Sequence, residues 1–123
     1  ASKIELIKKD FKPFKASQSN FAMTAHIIYK KYDNNVATHS KIIIKKIIRK
    51  HIGFRGLLIS DDISMKSLKF GIEKNAIKAL ESGCNLVLHC NGNIRDMSRL
   101  VKVIPKIDKF TQKKTTHFYK FLG

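Results

Sequence analysis

Apolar residues along the chain fall into short continuous runs and longer stretches with a helical period. The runs predict buried β-strands, and the periodic stretches predict amphipathic helices. Strands are predicted at residues 21–25, 57–62 and 85–90, and helices at residues 3–12, 41–51, 72–82 and 94–104. The regular alternation of strands and helices favours an α/β fold in which helices connect parallel strands.

The residues at the ends of these elements support the same boundaries. Ser40 is a suitable N-cap for the second helix, and Gly83 is a suitable terminator for the third. Pro13 is expected to end the first helix, and a polar, serine-rich connector is expected at residues 16–20. Residues 108–123 form a lysine-rich tail in which a helix is predicted only near the end.

The central strand carries the strongest chemical signal, because a Gly-x-x-Gly turn precedes it and two carboxylates end it. Side chains alternate along a strand, so Asp61 and Asp62 are expected on opposite sides and in different roles. In α/β folds the carboxyl ends of the strands build the site, which favours a catalytic role for one of these acids. The spacing leaves open the alternative that Ser60 or Asp62 only caps the following helix.

His26 ends the first predicted strand and therefore lies at the same edge of the predicted sheet. A histidine in this position is well placed to form a hydrogen bond with a ligand, whereas a lone histidine more often has a structural role. Both interpretations of His26 stay open at this point.

Three stretches together resemble one enzyme family. Residues 53–65, with the sequence GFRGLLISDDISM, resemble the signature of family 3 glycoside hydrolases, in the form found in bacterial β-N-acetylglucosaminidases of cell-wall recycling. Residues 23–29 (MTAHIIY) and residues 81–85 (ESGCN) are similar to further motifs of that family. Asp62 stands where the β-glucosidase branch tends to have Trp, which favours the N-acetylglucosaminidase branch.

The resemblance implies a fold and a domain organisation. The family fold is a (β/α)8 barrel, a fold that typically has about 250 residues. The chain is therefore expected to be a partial (β/α)8 barrel comprising about its last three βα units. Residues 1–107 are assigned to the C-terminal part of the catalytic domain, and residues 108–123 to the lysine-rich tail.

The resemblance also implies an activity, hydrolysis of terminal β-linked N-acetylglucosamine residues with retention of configuration. The acid that follows the Ser in the signature is the family's nucleophile, and this assigns Asp61 as the catalytic residue. Asp62 is expected to cap or support the site, while His26 and Met65 are expected to contact the sugar substrate. No cofactor or metal ion is implied.

The family's other catalytic group is a His–Asp pair beside a Lys-His-Phe-Pro-Gly-His-type motif, and this sequence contains no such motif. The sequence therefore leaves two alternatives to an independent glycosidase. One is a non-catalytic fragment, and the other is one piece of a split enzyme whose N-terminal barrel half comes from a second chain.

The formal net charge of +16 introduces another class, a basic nucleic-acid-binding module. However, only four of the 25 basic residues are Arg, and the joint excess of Lys, Ile and Asn is what an AT-rich genome encodes. We therefore attribute the charge to composition and expect no nucleic acid partner. A Mg²⁺-dependent phosphoryl enzyme using Asp61 and Asp62 is disfavoured, because the chain has nine acidic residues in all and no Gly-rich phosphate loop.

Two cysteines are too few for a disulfide framework. Cys84 and Cys90 are expected to pack as small apolar residues, and the chain is expected in a reducing, cytoplasmic compartment. No apolar run approaches the roughly 20 residues that cross a bilayer, so no membrane partner is expected.

Overall fold

A computed structural model of the chain describes residues 1–15 and 19–123. Its three strands, β1 (Phe21–Met23), β2 (Leu57–Asp62) and β3 (Leu86–Leu88), form one parallel sheet with β2 in the centre. This arrangement confirms the predicted α/β fold of parallel strands joined by helices. The connector predicted at residues 16–20 lies in part outside the described residues.

The helical elements alternate with the strands in the predicted order. In the described ranges, five segments are α-helices, namely α1 (Lys3–Glu5), α2 (Lys12–Lys15), α3 (Ile72–Ser82), α4 (Ile94–Val103) and α5 (Lys109–Leu122). Leu6–Asp10 and Ile43–Ile52 have the wider π-helical winding, and Ala37–His39 is a 3₁₀ turn. The bounds of α3 are those predicted, and the predicted N-cap is confirmed because the Ser40 hydroxyl accepts the Ile43 N–H at 3.1 Å.

Three predicted boundaries are wrong. The third strand covers Leu86–Leu88 rather than the predicted residues 85–90. The other two differences have identifiable physical reasons. Pro13 does not end the first helix, because it lies in the first turn of α2. In the first turn the backbone N–H that proline lacks would have no partner within the helix, so proline is tolerated there. The first strand is shorter than predicted, since the backbone beyond Thr24 bonds to the 3₁₀ turn: the N–H of Thr38 donates to the carbonyl of Ala25 at 3.3 Å.

The core lies between the sheet and the helices that connect its strands. Leu58 of β2 is fully buried against Ile44 of the π-helix, Ala79 of α3 and Cys84. Burial raises the pKa of the Cys84 thiol to about 12, so this cysteine stays protonated. Cys84 thus packs as predicted, whereas Cys90 is exposed, because it follows β3 at the surface.

The tail contains more structure than predicted. Asp108 caps α5 by accepting the N–H of Thr111 at 2.7 Å, and Thr111 is buried. Near the other end of α5, the ring of Phe118 packs edge-on against Phe21 of β1, with ring centroids 4.7 Å apart. The helix therefore crosses the sheet near the amino ends of its strands, away from the end that carries Asp61.

Candidate active site

The turn before β2 fixes where the central strand begins. Gly53 ends the π-helix in the left-handed region, with φ 78°, which favours glycine. A side chain at Gly56 would collide with the carbonyl of Asn20 and the ring of Phe54. This close approach lets the N–H of Leu57 donate to the carbonyl of Asn20 at 2.9 Å, which sets the register of β1 and β2. The two glycines of the signature are thus needed for different reasons, Gly53 for its positive φ and Gly56 for its close contact with Asn20 and Phe54.

The carboxyl half of β2 departs from regular pairing. Its register against β3 shifts between Ile59 and Asp62, and the hydroxyl of Ser60 accepts the N–H of Leu88 at 3.0 Å. Such irregularities redirect side chains at the ends of strands, often beside functional sites. The register shift thus lies in the stretch that carries both acids, and Ser60 and Asp62 both bond to the β3 side.

Asp61, the predicted nucleophile, lies within β2 and is half-buried. Its Oδ1 accepts the backbone N–H of Asp62 at 2.8 Å. Among the described residues, this is the hydrogen bond that orients the carboxylate, and it leaves Oδ2 without a protein donor. A carboxylate held by one oxygen has its other oxygen available to a ligand.

Asp62 connects the ends of β2 and β3. Its carboxylate accepts the N–H of Ser64 at 3.1 Å, the hydroxyl of Ser64 at 2.8 Å and the N–H of Cys90 at 3.2 Å. Burial by itself would raise the pKa of the Asp62 carboxyl. These hydrogen bonds and the nearby His89 together outweigh burial, so the net effect is a lowered pKa. Asp62 is thus ionised at neutral pH. It does not cap a helix as predicted, because residues 63–70 form turns and α3 begins only at Ile72; its side chain instead holds the turn after β2 and the chain after β3.

The ring of His26 connects the loop after β1 to the same residue. Its Nε2 lies 2.9 Å from the carbonyl oxygen of Asp62, and its Nδ1 lies 2.9 Å from the hydroxyl of Thr38. Thr38 is fully buried and also lies 2.8 Å from the hydroxyl of Thr24. Thr38 was not among the predicted site residues, because it lies in a segment predicted to be a polar loop and belongs to no recognised motif.

Met65, the other predicted substrate contact, follows β2 in a tight turn. Its N–H donates to the carbonyl of Asp62 at 3.2 Å, and its side chain is 43% exposed. The three residues predicted for the site, His26, Asp61 and Met65, therefore each form a hydrogen bond to the main chain of Asp62. The side chain of Met65 is free to contact a ligand above the sheet.

The structure also bears on metal and membrane binding. In residues 1–15 and 19–123, no three His, Cys, Asp or Glu side chains are arranged as a set of metal ligands. None of the helices in this part of the chain combines the length and apolar character required to cross a membrane.

Comparison with known proteins identifies relatives that match most of this chain. Residues 1–117 match the model of the glycosyl hydrolase family 3 N terminal domain. A beta-hexosaminidase of Neisseria meningitidis serogroup C is 39% identical over 92 residues, which are 71% of this chain and 26% of that protein. A beta-hexosaminidase of Psychromonas ingrahamii is 32% identical over 112 residues, 86% of this chain and 32% of that protein.

Solved structures agree with the sequence matches. Native NagZ from Neisseria gonorrhoeae superposes with a TM-score of 0.79 at 30% identity, covering 94% of this chain and 34% of that one. The beta-N-acetylglucosaminidase from Thermotoga maritima superposes with a TM-score of 0.74 at 31% identity, covering 84% of this chain and 24% of that one. The chain thus spans about a quarter to a third of the length of these relatives.

Proposed function

Because the chain belongs to glycosyl hydrolase family 3, we propose that it supplies the nucleophile of a β-N-acetylhexosaminidase that removes terminal β-linked N-acetylglucosamine residues. The observation that supports this most directly is the environment of Asp61. It lies at the carboxyl end of the central strand, with one oxygen held by the Asp62 N–H and the other without a protein donor in the described residues. Carboxyl ends of barrel strands are where the active sites of this fold class lie.

The proposed chemistry is a double displacement that retains the configuration of the sugar. Asp61 attacks the anomeric carbon and forms a C–O bond while the bond to the leaving oxygen breaks, and an acid protonates that oxygen. Water then attacks the glycosyl-enzyme, gives a proton to the same group acting as base, and releases Asp61. Met65 contacts the sugar from the turn after β2, and His26 lies at the same end of the sheet, in the loop after β1.

Completion of the barrel is part of the proposal. Three βα units cannot close a (β/α)8 barrel, and the sequence has no motif for the family's His–Asp acid/base. We therefore place the acid/base and most sugar contacts on the remaining five units of the barrel, and a second chain that pairs with this sheet is one proposed source of these units. Recycling of cell-wall N-acetylglucosaminides in the cytoplasm is the proposed setting, which a chain with two free cysteines suits.

The nucleophile can be tested without the acid, because a sufficiently activated leaving group departs without protonation. The experiment uses 2,4-dinitrophenyl N-acetyl-β-glucosaminide with the purified chain, alone and mixed with the barrel part of N. gonorrhoeae NagZ that this chain does not match. For the chain alone we expect release of one equivalent of 2,4-dinitrophenolate and a gain in protein mass of one N-acetylglucosaminyl group, and for the mixture we expect continuous release. The adduct persists in the chain alone because no base activates water.

Two variants identify the residue. Asp61→Asn is expected to abolish both the release and the mass gain, and digestion of the wild-type adduct is expected to place the sugar on the peptide containing Asp61. Asp10→Asn is the matched control, since Asp10 is an exposed acid in the N-terminal helical segment, and this variant is expected to react like the wild type. A folded chain that gains no sugar alone and shows no turnover in the mixture, or that reacts equally as Asp61→Asn, would refute the proposal.

A further inference from the structure

We propose that His26 is a positioning residue, which orients the carboxylate of Asp61 through the main chain of Asp62. This inference rests on the proposed function for its catalytic meaning, but its geometry stands on the contacts themselves. It differs from the predicted role of His26 as a direct contact of the sugar, because both ring nitrogens already have protein partners.

The partners of His26 determine where its proton lies. A carbonyl oxygen only accepts hydrogen bonds, so the Nε2–H of His26 donates to the carbonyl of Asp62 at 2.9 Å. In the neutral ring Nδ1 is then an acceptor, and the hydroxyl of Thr38 lies 2.9 Å from it. The same hydroxyl lies 3.2 Å from the carbonyl oxygen of Ala25 and 2.8 Å from the hydroxyl of Thr24. The Asp62 carbonyl thus fixes the Nε2–H tautomer, and the partners of both ring nitrogens hold the plane of the ring.

Asp62 transmits this orientation to the nucleophile. Its N–H donates to Oδ1 of Asp61 at 2.8 Å, while its carbonyl accepts from His26 and from the N–H of Met65 at 3.2 Å. Its side chain is held independently by Ser64 and by the N–H of Cys90. The backbone on which the Asp61 carboxylate depends is therefore held from the β1 loop, from the following turn and from β3.

The early end of β1 explains why a side chain is needed here. On the β1 side, the N–H of Thr24 donates to the carbonyl of Ile59 at 2.9 Å. Three residues further along β2, the carbonyl of Asp62 accepts a hydrogen bond from the ring of His26. The histidine thus continues the connection between the two strands past the point where β1 leaves the sheet, and it does so beside the predicted nucleophile.

Two substitutions separate positioning from other roles. In His26→Gln, the side-chain amide nitrogen reaches about as far as Nε2 and still donates to the Asp62 carbonyl. In His26→Asn, the shorter amide reaches only as far as Nδ1, so the bond to Asp62 is lost. Misplacement of a reacting group by about 1 Å can lower the rate about a hundredfold. We therefore expect His26→Asn to release 2,4-dinitrophenolate tenfold to hundredfold more slowly, without a change in KM. His26→Gln is expected to react nearly like the wild type.

A second readout does not depend on activity. Long-range ¹H–¹⁵N spectra of the folded wild-type chain at pH 8 are expected to show the Nε2–H tautomer of His26. The ¹³C signal of the Asp61 carboxylate, assigned by its loss in Asp61→Asn, is expected to shift in His26→Asn and to return in His26→Gln. A histidine that only stabilised the fold would lower Tm without moving this signal below the melting temperature.

The possible failures are distinguishable. An Nδ1–H tautomer, or an Asp61 signal that is the same in wild type and His26→Asn, would overturn the positioning role even where turnover is normal. A raised KM with unchanged kcat in both variants would show instead that His26 contacts the sugar. Absence of turnover in the wild type, with the expected tautomer and signal shift, would contradict the proposed function but support the positioning geometry.

Discussion

Asp33 illustrates how one carboxylate can organise the start of a helix. Its Oδ2 accepts the hydroxyl of Ser40 at 2.6 Å, and its Oδ1 accepts the N–H groups of Asn34 and Asn35. Ser40 in turn caps the helix that leads into the Gly53 turn and β2. The hydroxyl of Ser40, followed by the backbone N–H groups, lowers the pKa of the Asp33 carboxyl, although partial burial opposes this.

This lowered pKa predicts an acid-dependent stability. A carboxyl whose pKa is lower in the folded state stabilises the fold above its ordinary pKa of about 3.9, and this contribution is lost as the pH falls below that value. Asp33→Asn is therefore expected to reduce the loss of stability in acid. At neutral pH the variant is expected to be about 1 kcal/mol less stable, because the carboxylate that orients the N-cap is gone. Urea unfolding from pH 7 to pH 3 measures both effects.

Asp10→Asn is the control for this pH series. Asp10 is exposed, and its side chain has no hydrogen-bond partner in the part of the chain that the structure describes. Its pH profile is expected to match the wild type. Equal acid dependence in wild type and Asp33→Asn would contradict the role of Asp33.

At the scale of elements, the sequence predicted best where local signals agree with tertiary packing. Helix α3 has its predicted bounds, because its apolar period is regular and Gly83 ends it with a positive φ of 124°. The three parallel strands were predictable because each is a compact apolar run between polar segments. Asp61, His26 and Met65 were identified from motif resemblance, and the structure connects each of them to Asp62.

What the sequence did not predict depends on contacts between distant segments. The irregular register of β2 accompanies a bond from the N–H of Leu88 to the hydroxyl of Ser60, and no local pattern signals such a bond. Thr38 looked like an ordinary loop residue until the fold placed it against His26. The extent of α5 was missed because lysines dominate its sequence, whereas its packing depends on residues such as Phe118 meeting β1.

The packing of α5 predicts a measurable contribution to stability. Phe118 lies edge-on against Phe21, whereas Phe121 on the same helix is 79% exposed. Phe118→Ala is expected to lower the free energy of unfolding by about 1–2 kcal/mol, since it removes a partly buried ring and an aromatic pair. Phe121→Ala is the matched control and is expected to change it by less than about 0.5 kcal/mol. Chemical denaturation of the three proteins provides the comparison.

This pair of variants also tests the predicted domain boundary at residue 107. A large effect of Phe118→Ala would mean that residues 108–123 are part of the folded unit. Similar small effects of both substitutions would favour an independent lysine-rich tail and contradict the packing seen for α5.

For the whole molecule, the important feature is an open sheet. β2 is paired on both sides, but β1 pairs with β2 on one side only within the described residues, so its other edge faces away from the sheet. An unpaired edge strand is a template for another strand. In N. gonorrhoeae NagZ the match covers 34% of the chain, so most of that protein has no counterpart in this one. A complementary chain that closes the barrel would pair with the free edge of β1.

Hydrogen exchange at β1 tests this assembly directly. In a parallel ladder, alternate residues bond to the same neighbour, and Thr24 donates to β2, so the N–H of Met23 points to the free edge. Adding the unmatched barrel part of N. gonorrhoeae NagZ is expected to slow exchange of the Met23 amide at least about tenfold, in proportion to the fraction bound. The Leu58 amide, already bonded to the side chain of Asn85, serves as the internal control. Restored turnover without protection of the Met23 amide would show that the added part of NagZ binds elsewhere. Protection without turnover would mean that a closed barrel alone does not complete the site around Asp61.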